Sequence, residues 1–255
     1  MHKLKKVIKL VAMSWMLTAC AVGTSDPNQT SDKEKAKKFT DVAIEYFKTG
    51  DNVSARSWLQ KAVNYDKNYG RAYSVLATVF QSEKEDLLAE QYFKKSLSVE
   101  PKSAMFRNNY GAFLFGQKNY KKACAQLELA TQDPFYNLRA SALSNLGRCY
   151  EALNEEDKAR DAYQRSVNIG GGDSFALINI AQSLLSSGEV FKANVKYTQF
   201  IQLVTGNQAI HTAESLILGV RLARLNGDSS NVVTYSLLLE NLYPNQYKKF
   251  KESLQ

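Results

Sequence analysis

The stretch "AYSVLATVFQSEKEDLLAEQYFKKSLSVEP", residues 72–101, decides the fold. Its small and apolar residues return every three or four positions, the period of a helix with one buried face. The polar break "QSEKED" (81–86) divides it into two such helices. In the first, Ala77 is followed three residues on by Phe80; in the second, Ala89 is followed four residues on by Phe93. Reading outward in both directions, the first pair recurs at Ala43 and Tyr46, Gly111 and Leu114, Gly147 and Tyr150, Ala181 and Leu184, and Gly219 and Leu222. The steps between the small residues are 34, 34, 36, 34 and 38. Twelve residues after each small position stands a second one, at Ala55, Ala123, Ala159, Ala193 and, less cleanly, Asn231. Four further on come Leu59, Leu127, Tyr163, Tyr197 and Tyr235.

The spacing has a physical reason. Two antiparallel helices approach closely only where both present Ala or Gly, and the bulky residue one turn on fills the space beside that contact. One such pair cannot hide its own apolar face, so neighbouring pairs must stack. The pattern resembles the tetratricopeptide repeat (TPR). The expectation is an all-α, right-handed superhelical solenoid of six helix-turn-helix repeats over residues 35–244, closed by a capping helix over 245–255. The aligned small and aromatic residues, Tyr46, Phe93, Tyr150 and Tyr163 among them, then belong to the core. In the first helix the core register falls on Phe39, Val42, Ala43 and Tyr46. First-helix residues outside that register face a concave groove: Ile44, Phe47 and Lys48; Arg71 and Thr78; Met105, Asn108, Ala112 and Phe115; Ser144, Arg148 and Glu151; Phe175, Ile178 and Gln182. They describe a partly hydrophobic channel suited to a peptide or helix.

Little else in the chain points to chemistry. Only two histidines occur, and His211, in "NQAIHTAES", reads as a polar or capping residue. No HExxH, CxxC or Gly-Lys-Ser/Thr loop is found. Gly170 to Gly172 lack a preceding strand and a following lysine, and read as a helix stop before Asp173 or Ser174 caps the next helix. Glu155 and Glu156 suit a helix start, where they complement the dipole. No catalytic residue, cofactor, metal site or small-molecule substrate is expected. The net charge is +8, of which Lys3, Lys5, Lys6 and Lys9 supply half. The remaining lysines alternate with acids at helical spacing, as in "NEEDKARDAYQR" (154–165), the pattern of solvated helix faces and not of a nucleic-acid stripe.

The first twenty residues, "MHKLKKVIKLVAMSWMLTAC", pair a basic start with a short apolar run from Val11 to Leu17, the layout of an export signal. The "LTAC" that closes it resembles the lipobox of bacterial lipoproteins, which implies a signal peptide over 1–19 and acylation of Cys20; an unmodified cysteine is the alternative. Residue 21 is Ala, where Asp would favour the inner membrane in that class of lipoproteins. The resemblance thus implies a chain anchored by lipid in the outer membrane and facing the periplasm. Residues 20–34 read as the acylated cysteine and a tether. The oxidising periplasm makes Cys124 and Cys149, placed on helices expected to pack together, candidates for a disulfide; simple burial is the other reading.

A longer stretch is more specific. "RNNYGAFLFGQKNYKKACAQLELATQDPFYNLRASALSNLGRC" (107–149) resembles the PilF/PilW family of type IV pilus biogenesis lipoproteins through Asn108, Asn109, Tyr110, Gly111, Asp133, Pro134, Tyr136 and Arg139. That resemblance implies a monomeric pilotin that binds subunits of the outer-membrane secretin and promotes their localisation, stability and multimerisation. It implies docking on the first repeats, at Ile44, Phe47 and an outward Trp58. A general periplasmic TPR adaptor for envelope assembly or cell-wall enzymes, and a substrate-presenting subunit of a transferase, are the alternatives.

Overall fold

A computed structural model describes residues 31–170 and 174–253. Asp32–Gln255 is one compact unit, and its described residues form thirteen helices and no strand. The helices come in six pairs: α1 (Asp32–Lys48) with α2 (Asn52–Tyr65), α3 (Gly70–Ser82) with α4 (Asp86–Val99), and α5 (Ala104–Gly116) with α6 (Tyr120–Ala130). The series continues with α7 (Arg139–Glu151) and α8 (Glu156–Gly170), α9 (Ser174–Ser186) and α10 (Val190–Thr205), and α11 (Ala213–Leu225) and α12 (Ser229–Leu242). A short α13 (Pro244–Glu252) packs on α11 and α12 and buries Phe250. This is the all-α TPR fold. Its boundaries differ slightly from those read from sequence: α1 begins at Asp32, within the span assigned to the tether, and α13 begins at Pro244, with proline in the first turn where its missing N–H costs nothing.

Each pair closes through the same turn. One residue with left-handed backbone ends the first helix: Gly50 (φ 83°), Lys84 (63°), Lys118 (59°), Asn154 (59°), Gly188 (80°) or Gly227 (71°). The next residue's amide then reaches back five positions, as Asp51 N to Tyr46 O (3.0 Å), Asn119 N to Leu114 O (2.9 Å) and Glu189 N to Leu184 O (2.8 Å). This Schellman arrangement satisfies the carbonyls that a helix end leaves open. Side chains cap several following helices: Asp51 accepts from Ser54 N at 2.9 Å, and Thr212 and Ser215 cap α11 reciprocally.

The small positions do what the spacing requires. Ala43, Ala77, Ala181, Ala55, Ala89, Ala123 and Ala193 are fully buried. A Cβ at Gly147 would stand 2.5 Å from the Tyr163 ring, and one at Gly111 would stand 2.7 Å from Leu127. Successive repeats interlock through first-helix tyrosines that reach the preceding repeat: Tyr110 Oη donates to Glu90 on α4 (3.1 Å), and Tyr150 Oη donates to Glu128 on α6 (2.6 Å).

That interlocking corrects the reading of the first repeat. Val42 and Tyr46, assigned to the core, are each 38% exposed, because they occupy the register of Tyr110 and Tyr150 and α1 has no earlier described repeat to meet. Phe47, assigned to the groove, is half-buried against the cluster of Ala43, Leu59 and Leu76. Trp58, assigned an outward face, is also half-buried; its ring stacks on Phe39 with centroids 5.4 Å apart.

Candidate binding groove

The first helices α1, α3, α5, α7 and α9 line up in the stack, and polar side chains connect the first four of them in order. Arg71 on α3 pairs with Asp41 on α1 (3.2 Å). Asn109 on α5 donates to Ser74 on α3 (3.3 Å), and Asn145 on α7 donates to Asn108 on α5 (3.2 Å). These contacts fix the register of neighbouring repeats along the groove. They also leave amide and guanidinium groups at a half-exposed surface, where they can serve the backbone of an extended or helical ligand.

The middle of the groove is its most organised part. The guanidinium of Arg148 lies over the Phe115 ring at 5.1 Å and over the Phe175 ring at 5.2 Å, bridging α5, α7 and α9. A small recess of about 50 Å³ beneath it is lined by Ala112, Phe115, Leu127, Asn145 and Arg148. Stacking holds the cation in place without neutralising it, so the pair of rings and the charge together suit an apolar side chain beside an acidic group. One repeat on, α7, α8 and α9 enclose a recess of about 310 Å³ that includes Glu151, Arg160, Tyr163, Asn179 and Gln182. There Tyr163 Oη donates to Glu151 (2.8 Å), and burial raises the Glu151 carboxyl above its ordinary value despite that bond.

Of the residues read from sequence as partner-binding, the structure brings Phe115, Arg148 and Phe175 together. Asn108 joins the ladder beside them. Thr78 is satisfied within its own helix, donating to Ser74 O (3.1 Å), and Met105 is half-buried at the start of α5. Ile44 and the exposed Lys48, paired with Glu45 at 2.8 Å, sit on α1, remote in the stack from Arg148. Trp58 lies on a second helix, with Lys61 Nζ 3.9 Å from its ring centre. Cys20 falls outside the described residues. Cys124 and Cys149 are joined by a disulfide between α6 and α7, with Cα atoms 5.5 Å apart. His211 is half-buried between the Phe200 and Tyr235 rings, and burial lowers its pKa.

Sequence reasoning missed the rungs at Asn109 and Asn145, although a signal was present: each stands two residues before a small position of the repeat, as does Asn179, whose amide instead donates to Phe175 O within its own helix (3.0 Å). Among the described residues no cluster of His, Cys, Asp and Glu could hold a metal ion, and no helix is long and apolar enough to cross a membrane.

Comparison with known proteins places this geometry among relatives. The tetratricopeptide repeat family matches residues 103–170. The type IV pilus assembly protein PilF of Pseudomonas aeruginosa is 32% identical over 241 residues, covering 92% of this chain and 93% of PilF. The solved structure of P. aeruginosa PilF superposes with a TM-score of 0.81 at 29% identity, over 88% of this chain and 100% of that one. PilW, a widely conserved type IV pilus biogenesis factor, superposes with a TM-score of 0.70 at 25% identity, over 84% and 97%.

Proposed function

From the membership of this chain in the PilF/PilW family of TPR proteins, we propose that it acts in type IV pilus biogenesis as a non-enzymatic adaptor. On this reading it is a pilotin, held at the inner face of the outer membrane by acyl chains on Cys20. It captures a segment of the pilus secretin and promotes assembly of secretin subunits into the multimeric pore. The observation that carries the proposal is the likeness to PilF across nearly the whole of both chains, which no generic TPR match would produce.

The groove supports the same reading from its chemistry. A stacked arginine flanked by two phenylalanines and followed along the stack by an amide ladder is a surface for a polypeptide. The geometry favours docking around Arg148 over the first repeat, whose Phe47 and Trp58 are engaged in packing. Deleting the gene and blotting unboiled membrane extracts for high-molecular-weight secretin tests the function; undiminished multimers in the deletion strain would leave the general envelope adaptor and the transferase subunit. Restoring the gene with Arg148→Ala tests the groove. The expected loss of affinity for secretin is about 2 kcal/mol, or roughly thirtyfold, with folding unchanged.

A further inference from the structure

The antiparallel pairing sends every first-helix N-terminus and every second-helix C-terminus to one edge of the stack, together with all the connections between repeats. Exposed apolar side chains stand on that edge at three consecutive junctions. Between repeats three and four, Phe135 is 89% exposed and Leu138 56%; between four and five, Ile169 is 50% exposed; between five and six, Ile210 is 79% exposed. The first of these connections is built to hold its phenylalanine out. Phe135 N donates to Asp133 Oδ1 (2.9 Å), Arg139 Nε donates to Thr131 O (2.8 Å), and Tyr136 beside it is partly buried. Phe135 is therefore displayed on an ordered loop, and no described side chain covers it.

The covalent path of the chain indicates what covers this edge. Asp32, the first residue of α1, lies on it. Eleven residues, 21–31, separate it from Cys20, and even fully extended they span no more than about 40 Å. We propose that the edge bearing Phe135, Leu138, Ile169 and Ile210 rests on the lipid surface, its apolar side chains entering the interfacial zone, while the groove stays open to the periplasm. This rests on the reading of Cys20 as the membrane anchor. Exposed Lys33, Lys37 and Lys38, beside the same end of α1, outnumber the exposed Asp32 and Glu34 of its first turn and suit anionic headgroups. Single interfacial aromatic and aliphatic residues add to an acyl anchor by orienting the body it holds.

The other edge supplies an internal control. Leu87, on the first turn of α4, is 80% exposed, and Val53, Phe191 and Leu225 are 69%, 80% and 60% exposed, but all four stand at the opposite ends of their helices, about 20 Å further from the end of α1 that the tether enters. The test uses the full chain, extracted with its anchor and reconstituted in phosphatidylethanolamine–phosphatidylglycerol vesicles containing brominated acyl chains. Trp58, which is the tryptophan of residues 20–255, is replaced by Phe, and a single indole is introduced as Phe135→Trp or Leu87→Trp. The bromolipid should quench the indole at 135 several-fold more than the one at 87, with a blue shift at 135 alone. Equal quenching, or stronger quenching at 87, overturns the proposal. A second arm couples the Cys20 thiol of unacylated residues 20–255 to a maleimide phospholipid in the same vesicles. Selective quenching at 135 in that arm supports the edge even if mass spectrometry finds Cys20 unacylated in cells, which would sink the anchor reading by itself. Absence of selectivity in both arms rejects the edge.

Discussion

At the scale of single residues, the first repeat shows how register and environment separate. Tyr46 and Val42 carry the letters of the repeat, but the face they line is the one that later tyrosines use to reach a preceding repeat, and on α1 it is open. Tyr46→Ala should therefore lower stability by no more than about 0.5 kcal/mol, as an exposed substitution does. Phe47, three turns from the start of the Ala36, Thr40, Ala43 stripe, packs beside Leu59 and Leu76. Phe47→Ala should cost about 2 kcal/mol by leaving a cavity in a half-buried cluster. Thermal melts of the two variants check this; a lower melting temperature for Tyr46→Ala would mean that α1 is covered on its open face. Arg148 is the reverse case, a residue whose letters say little and whose position between Phe115 and Phe175 gives it a role.

At the scale of elements, the turn within each repeat and the bridge between repeats three and four carry most of the local specification. All six intra-repeat turns need one left-handed residue, yet Lys84, Lys118 and Asn154 occupy three of them. A Cβ in that conformation costs about 1 kcal/mol, which glycine avoids. Lys118→Gly should raise the free energy of unfolding by close to that amount, after the loss of some denatured-state restriction; chemical denaturation measures it, and a destabilised variant would mean the lysine side chain contributes a contact. The disulfide between α6 and α7 closes a loop with a sequence separation of 25. In the chain-entropy account such a loop contributes about 3.5 kcal/mol. Refolding under reductant should then lower the melting point by about 10 °C. Two thiols that react with an alkylating agent in unfolded, unreduced protein would show that the bond does not form.

At the scale of the whole molecule, stability is a sum of repeat interfaces, and several of these interfaces contain buried tyrosines. Burial, and then the bond to the Glu90 carboxylate, raises Tyr110 from 10.0 to about 12; Tyr150 and Tyr197 are also raised, mainly by burial. A raised value means that the folded chain holds the proton more tightly than the unfolded one. The associated stability is complete below about pH 10 and is lost as pH rises toward 12. Urea midpoints should fall across that window, and less steeply in Tyr110→Phe; parallel falls would exclude Tyr110 as a contributor. The repeat itself was legible in the sequence, because a period of 34 to 38 residues and the Ala and Gly at helix crossings are local, one-dimensional consequences of close packing. The family likeness was legible for the same reason, in one continuous stretch from 107 to 149. What only the tertiary structure decided was which copy of a repeated position has a neighbour. It freed Tyr46, engaged Phe47 and Trp58, and gathered Phe115, Arg148 and Phe175 from three helices, 60 residues apart from first to last. The repeat code records the contacts that every unit must make with the next; a groove and an open end arise from side chains the code leaves free, and their surroundings exist only once the stack is built.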